Sequence, residues 1–162
     1  TETAAMNGIA VQGARASILG AGGAARAVAY GLKSTGAKVS LHARVHGRAA
    51  AVAEAIGASA GDWPPSAGSW DILVNCTPVG SAAQPDVSPM NGSALTGRLV
   101  YDLIYAPAET RLMREARGAG CVVIGGLPML VAQAERQFEW WTGKRPPAGL
   151  MLHAAQEAMT CD

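Results

Sequence analysis

Short apolar runs alternate with longer amphipathic or alanine-rich stretches along most of this chain. The runs are rich in valine, isoleucine and leucine and are bounded by glycine, proline or polar residues, as is typical of buried parallel strands. They predict six strands, near 15–19, 38–42, 58–60, 71–75, 99–102 and 121–124. Helical stretches between them lie near 24–34, 47–56 and 109–117. This alternation is typical of βαβ units, so we expect an α/β fold with a doubly wound, mostly parallel, six-stranded sheet.

Two connections contain too many helix breakers for a full crossover helix. Residues 61–69 predict a loop or a single turn, and residues 78–97 predict a long polar loop over one edge of the sheet. After the last strand, helical patterns at 129–141 and 148–159 predict two closing helices. In the first of them, we expect Phe138, Trp140 and Trp141 to be ordinary packing residues.

Composition excludes several classes of partner. The chain has 162 residues, 49% of them hydrophobic and 15% charged, which favours one domain with a substantial core. Its formal net charge of +1 provides no broad field for nucleic acid or for a membrane surface, so we expect neither partner. No apolar run reaches the roughly 18 residues that a membrane span needs. Cys76, Cys121 and Cys161 are an odd number without a close pair, which argues against a disulfide framework or a zinc site and favours a cytoplasmic location.

A glycine turn follows the first predicted strand and opens the first predicted helix. Gly20 permits a tight turn, Gly22 permits close approach of a ligand to the backbone, and Ala25 is small enough for the helix to pack on the strand. The amides at the start of such a helix can face an anion. This Gly-x-Gly-x-x-Ala spacing, between a strand and a helix, predicts a site for the pyrophosphate of a dinucleotide.

The second predicted strand indicates which dinucleotide. A site selective for NAD places Asp or Glu about 20 residues after the glycine turn, where it binds the ribose hydroxyls. Here that region reads His-Ala-Arg-Val-His-Gly-Arg, with Arg44 and Arg48 in place of an acid. Two guanidinium groups can bind a 2′-phosphate, so the sequence favours NADP.

Two further segments end strands at the same edge of the predicted sheet. Residues 75–80 turn outward at a proline, at the level of a nicotinamide ribose, and residues 102–105 leave the phenol of Tyr105 at the rim. No general acid or base is evident, because His42, His46 and His153 have no carboxylate partner placed by the sequence.

The combination of these motifs resembles the C-terminal NADP-binding domain of shikimate dehydrogenase. The resemblance covers nearly the whole chain. It is carried by residues 20–27, the arginine loop, residues 75–80, residues 102–105 with Pro107, Glu109 and Thr110, and the Gly-Leu-x-Met-Leu-Val-x-Gln-Ala pattern of 126–134.

The resemblance implies a Rossmann-like fold and a role for each motif. The pyrophosphate would be held by Gly20, Ala21, Gly22, Gly23 and Ala24, and the 2′-phosphate by Arg44 and Arg48. The nicotinamide half would be held by Thr77, Leu103, Gly126 and Met129. Tyr105 and Gln133 would face shikimate. The implied reaction is the reversible, NADPH-dependent reduction of 3-dehydroshikimate to shikimate in aromatic amino acid biosynthesis.

The sequence also departs from the family pattern. The family's cofactor loop usually reads Asn-Arg-Thr-x-x-Lys/Arg, whereas Ala43 and Val45 replace its Asn and Thr and remove two polar contacts. The family's catalytic Lys, from an N-terminal substrate domain, has no counterpart, and Glu2 stands as a candidate for its catalytic Asp. We therefore expect residues 1–14 to be a linker from such a domain and 15–162 to be the NADP-binding domain, with low turnover by this chain alone. Two alternatives stay open: a quinate or shikimate dehydrogenase variant, and a non-catalytic NADP-binding module.

Overall fold

A computed structural model describes residues 8–160, apart from the side chain of residue 160. Six strands form one sheet, all parallel, in the order β3-β2-β1-β4-β5-β6. The strands are β1 (Arg15–Leu19), β2 (Lys38–His42), β3 (Ser59–Gly61), β4 (Ile72–Asn75), β5 (Leu99–Asp102) and β6 (Val122–Ile124). The helices are α1 (Gly23–Ser34), α2 (His46–Ile56), α3 (Arg111–Gly118), α4 (Leu127–Thr142) and α5 (Leu150–Thr160). The predicted α/β fold with two closing helices is confirmed.

Both faces of the sheet are buried because alternate side chains of the central strands enter two separate apolar clusters. In β4, Ile72 and Val74 pack into the cluster under α1 and α2, whereas Leu73 packs into the cluster beneath α3. A residue period of two places neighbouring side chains on opposite faces, which explains why these strands read as continuous apolar runs.

The two breaker-rich connections contain no helix, as predicted. The connection between β4 and β5 nevertheless contributes to the core, since Met90 is fully buried in the α3-side cluster. The polar loop is thus anchored at its centre rather than lying entirely over the sheet edge.

The prediction that the aromatic residues of α4 are packed is wrong for this chain. Trp140 is 82% exposed and Trp141 is 73% exposed, and Phe138 is also exposed. Val131 is the one buried residue of α4, and α5 leaves Leu150 and Leu152 exposed. Helical spacing places Phe138 and Trp141 on one face of α4, as predicted, but no described element of the chain lies over them. No helix within residues 8–160 is long and apolar enough to cross a membrane.

Candidate cofactor-binding site

The glycine turn between β1 and α1 is constrained by the neighbouring strands. Gly20 has φ of +114° and its amide donates to the His42 carbonyl over 2.8 Å. A Cβ at this position would lie 3.1 Å from the Cys76 carbonyl oxygen. Residue 20 must therefore be glycine for reasons internal to the chain.

The next two glycines face open space. A Cβ at Gly22 or Gly23 would meet no other protein atom within 4 Å. The first helical hydrogen bond runs from the Arg26 amide to the Gly22 carbonyl over 3.0 Å, so the amides of Gly23 and Ala24 precede it without an intrahelical partner. The N-cap offers no side-chain acceptor and the first turn has no acidic residue. This helix start is therefore open to an anion.

A cleft of about 310 Å³ lies in front of this turn. It occupies the carboxyl edge of the sheet where the strand order reverses, between β1 and β4, which is where open α/β sheets bind ligands. Four segments line it: the glycine turn, the arginine loop, the segment after β4 and one residue after β3. The lining residues are Gly20, Ala21, Gly22, Ala43, Arg44, Val45, Arg48, Trp63, Cys76, Thr77, Pro78 and Val79.

The predicted 2′-phosphate residues lie together at one side of this cleft. Arg44 and Arg48 are both exposed, and neither side chain has a hydrogen-bond or ion-pair partner within the described part of the chain. Val45 is the N-cap of α2 and provides no side-chain hydrogen bond. Two unpaired guanidinium groups thus flank a second uncapped helix start.

The segment after β4 is held by a hydrogen-bonded asparagine. The fully buried Asn75 accepts through Oδ1 from the Thr77 amide (3.0 Å) and from the Thr77 hydroxyl (2.7 Å). Its Nδ2 donates to the Val79 carbonyl over 3.2 Å, and the Val79 amide donates to Thr77 Oγ1 over 3.2 Å. These bonds fix the wall of the cleft that contains Thr77.

Asn75 is in turn held by Asp102, its register partner on β5. Asp102 Oδ1 accepts from Asn75 Nδ2 (3.0 Å) and from the Ile104 amide (3.1 Å), and its Oδ2 accepts from the Thr110 hydroxyl (2.7 Å). Burial raises the pKa of Asp102, and these three donors act in the opposite direction. The prediction named neither Asn75 nor Asp102 as a site residue. Both are polar residues at the ends of adjacent buried strands, which is the signal that would have paired them.

The remaining predicted cofactor residues lie outside the cleft of Arg44 and Arg48. Gly126 is buried, and a Cβ there would lie 2.2 Å from the Leu103 carbonyl oxygen, so these two residues are brought together. Leu103 and Met129 line a separate apolar cavity of about 310 Å³ between α1, β4, β5 and α4. Gly23 and Ala24 lie at the helix start beside the cleft.

The predicted substrate residues are solvent-facing. Tyr105 follows β5 and Gln133 lies on α4, and both are exposed. The candidate catalytic residue Glu2 lies outside the described residues. Among residues 8–160, no group of three His, Cys, Asp or Glu side chains could hold a metal ion. Burial raises the pKa of the Cys76 thiol to about 12, so this cleft residue is not a ready nucleophile.

The strand order, the glycine turn and the cleft at the reversal point define a Rossmann-like α/β domain. A family described as the shikimate 5′-dehydrogenase C-terminal domain matches residues 126–156. The NADP(+) shikimate dehydrogenase of Methanocella arvoryzae is 38% identical over 149 residues, which are 88% of this chain and 55% of that protein. The corresponding enzyme of Halobacterium salinarum is 41% identical over 150 residues, 90% of this chain and 56% of that protein.

A solved structure gives the same assignment. Shikimate 5-dehydrogenase from Thermus thermophilus, in complex with NADP(H) and shikimate, superposes with a TM-score of 0.84 at 39% identity, over 97% of this chain and 59% of that one. The chain therefore belongs to the shikimate dehydrogenase family, as its C-terminal domain. It spans little more than half the length of the curated relatives that it matches.

Proposed function

We propose that this chain binds NADP and supplies the cofactor half of a shikimate dehydrogenase. The observation that carries the proposal is the pairing, in one cleft, of an uncapped glycine-rich helix start with two unpartnered arginines. This is a donor set for two phosphate groups, one at the start of α1 and one beside the start of α2.

The residues present fit both phosphates. The pyrophosphate would meet the amides of Gly23 and Ala24, in the space that a side chain at residue 22 or 23 would occupy. The 2′-phosphate would meet Arg44 and Arg48, each able to form charge-assisted hydrogen bonds. No carboxylate stands at the end of β2 to bind the ribose hydroxyls of NAD.

In the proposed reaction, NADPH supplies a hydride to the carbonyl carbon of 3-dehydroshikimate. The chain's own part is to bind and orient: Asn75 holds the Thr77 segment beside the cofactor, and the junction of Leu103 with Gly126 forms the floor under the nicotinamide half. Tyr105 and Gln133 would contact the substrate from the β5 side. A proton donor for the developing alkoxide is required as well, and the family resemblance implies that it comes from a substrate domain.

We further propose that the exposed apolar surface of α4 and α5 packs against that substrate domain. This surface consists of large apolar side chains that are exposed to solvent, and exposed apolar area of this kind marks an interface. The side chains are those of Trp140, Trp141, Leu150 and Leu152. The matched relatives are longer by a segment of comparable size to this chain. On this proposal, binding resides in this chain and turnover requires the other domain.

Calorimetric titration with NADP and, separately, NAD tests the cofactor proposal. A charge-assisted hydrogen bond contributes about 1.5–3 kcal/mol, so Arg44→Ala or Arg48→Ala should weaken NADP binding about 10- to 150-fold and leave NAD binding nearly unchanged. Arg114→Ala, an exposed arginine on α3, is the matched control and should change neither. Equal affinity of the unsubstituted chain for NADP and NAD, or no binding of either, would contradict the proposal.

A separate assay tests the proposal that this chain binds NADP but does not turn over substrate by itself. Shikimate and NADP added to this chain alone should give no appreciable NADPH absorbance, and quinate should behave the same. Ready turnover of either substrate would show that the active site is complete in this chain and would identify its preference.

A further inference from the structure

Trp63 reaches the cleft from the segment after β3, which carries none of the proposed phosphate-binding residues. It follows the end of β3 by two residues and lines the cleft together with Arg44 and Arg48. The indole is half-buried, because part of it packs against the apolar cluster that contains Leu19. A large flat side chain is thus supported by the core and also open to the cleft.

The residues assigned to the phosphate groups leave the adenine ring of the proposed cofactor without an assigned partner. The amides of the glycine turn suit the pyrophosphate and the two arginines suit the 2′-phosphate, but neither provides a broad apolar surface. The adenine ring is attached to the same ribose as the 2′-phosphate, so it must lie within the same cleft. Trp63 is the one aromatic side chain among the residues that line it in the described chain. Bases stack favourably on aromatic side chains whatever their hydrogen-bonding pattern.

A buried histidine fixes the segment that carries Trp63. His42 Nδ1 lies 2.7 Å from the carbonyl oxygen of Asp62, the residue directly before Trp63. A carbonyl can only accept, so Nδ1 carries the proton and donates. The ring also lies against Gly61, where a Cβ would come within 2.5 Å of His42 Cε1. The imidazole therefore holds the end of β3 through a hydrogen bond and through contact.

The other ring nitrogen anchors His42 in the sheet. With Nδ1 protonated, Nε2 accepts from the hydroxyl of Ser40 (2.9 Å) or from that of Ser17 (3.1 Å). The two hydroxyls lie 3.2 Å apart, on adjacent strands β1 and β2. The ring thus connects the middle of β1 and of β2 to the segment after β3, and its position determines where residue 63 stands relative to the arginines.

We propose that Trp63 forms the wall on which the adenine ring of NADP stacks, and that His42 is the positioning residue that holds this wall beside Arg44 and Arg48. The proposal rests on the proposed NADP-binding function and adds a base-recognition surface to it. It also gives the buried histidine a role that does not involve catalysis.

Calorimetry with NADP and with 2′,5′-ADP, which retains the adenine and both of its ribose phosphates, tests the wall. Trp63→Ala should weaken binding of both ligands about 5- to 150-fold, whereas Trp63→Phe should stay within about threefold of the unsubstituted chain. Trp140→Ala, which removes an indole from the exposed surface of α4, is the matched control and should leave both affinities unchanged.

A double-substitution cycle tests the positioning role. His42→Ala should weaken 2′,5′-ADP binding, and His42→Asn should restore most of it, because the asparagine Nδ2 can donate to Asp62 where Nδ1 does. In a Trp63→Ala background, His42→Ala should add little further loss, since residues that act through one another are not additive. Circular dichroism identifies any variant that does not fold. If His42→Ala does not fold, the affinity of His42→Asn for 2′,5′-ADP tests the positioning role instead.

The outcomes separate the two proposals. If the unsubstituted chain binds neither NADP nor 2′,5′-ADP, the NADP-binding function itself fails. If it binds both and Trp63→Ala binds them equally well, the function stands and the adenine wall is wrong. If Trp63→Ala loses affinity but His42→Ala and His42→Asn behave alike, the wall stands and the positioning role of His42 is overturned.

Discussion

Replacing Thr110 by valine should lower the free energy of unfolding, because Thr110 holds the buried Asp102 that supports the segment after β4. Thr110 is fully buried and does two things: its hydroxyl donates to Asp102 Oδ2 over 2.7 Å, and its oxygen accepts from the Met113 amide over 3.2 Å as the N-cap of α3. Valine has nearly the same shape but can do neither. Thr110→Ser keeps both bonds and removes only a methyl group, so it is the matched control.

The magnitude follows from those two bonds. Loss of a hydrogen bond to a buried carboxylate costs about 1.5–3 kcal/mol, and loss of an N-cap costs about 1 kcal/mol. We expect Thr110→Val to lower the free energy of unfolding by about 2.5–4 kcal/mol, and Thr110→Ser by about 1 kcal/mol. Urea unfolding followed by circular dichroism measures both. Equal stability of the two variants would refute the assignment of these bonds to Thr110.

The pH dependence of this loss provides a second test. Burial already raises the pKa of Asp102, and the Thr110 hydroxyl is one of the groups that hold it down. When the pKa of a carboxyl group is higher in the folded chain than in the unfolded chain, the folded state loses stability as the pH rises and the group ionises. Removing the Thr110 donor therefore increases this loss only at pH values where Asp102 is ionised. The difference between Thr110→Val and the unsubstituted chain should therefore shrink as the pH falls towards the pKa of Asp102. A difference that stays constant down to that pKa would contradict this reasoning.

Three further predictions concern stability and use urea unfolding. Gly126→Ala should destabilise by more than about 2 kcal/mol because its Cβ would lie 2.2 Å from the Leu103 carbonyl, whereas Gly125→Ala would meet a flexible methionine side chain and should cost less; equal losses would argue against that contact. Val45→Thr should add about 1 kcal/mol by capping α2, which now has no side-chain cap; no gain would mean that the cap does not form. Burial lowers the pKa of His42 in the folded chain, so the His42 imidazole is protonated at a higher pH in the unfolded chain than in the folded one. The free energy of unfolding should therefore fall as the pH drops below about 6.5. His42→Asn should flatten that part of the profile, and an unchanged slope would assign it to another group.

The sheet could be predicted because burial on both faces makes its strands conspicuous. The predicted bounds of β1, β2 and β5 coincide with those observed, and those of β3, β4 and β6 differ by a residue at one or both ends. The observed helix ends differ from the predicted ones by up to two residues. At α4, for example, the helix begins at Leu127 instead of residue 129, next to a glycine that packs on Leu103. Such contacts between distant segments leave no local pattern.

The site was predicted unevenly for the same reason. Gly22, Arg44 and Arg48 could be selected from the sequence because a glycine-rich helix start and a pair of arginines are local patterns, and all three residues line the candidate cleft. The support of Thr77 depends on Asn75 and Asp102 lying opposite each other on β4 and β5, which requires the strand register. The exposure of Trp140 depends on what covers α4, and helical periodicity does not contain that information.

The residues that we propose for phosphate binding and those that we propose for substrate contact lie in different halves of the sheet. The cleft that we propose to bind the phosphate groups is lined by residues within 20–79, on the β1 to β4 half of the sheet. Tyr105 and Gln133 belong to the β5 and α4 half, which also carries the exposed apolar surface of α4 and α5. The apolar cavity of Leu103 and Met129 lies between the two halves, because α1 and β4 line it as well as β5 and α4. The two most exposed large apolar side chains of the described residues, Trp140 and Trp141, lie in this half, and exposed apolar area of this kind marks an interaction surface. Cofactor affinity should therefore be a property of this domain by itself, while the rate and choice of substrate should depend on whatever covers α4.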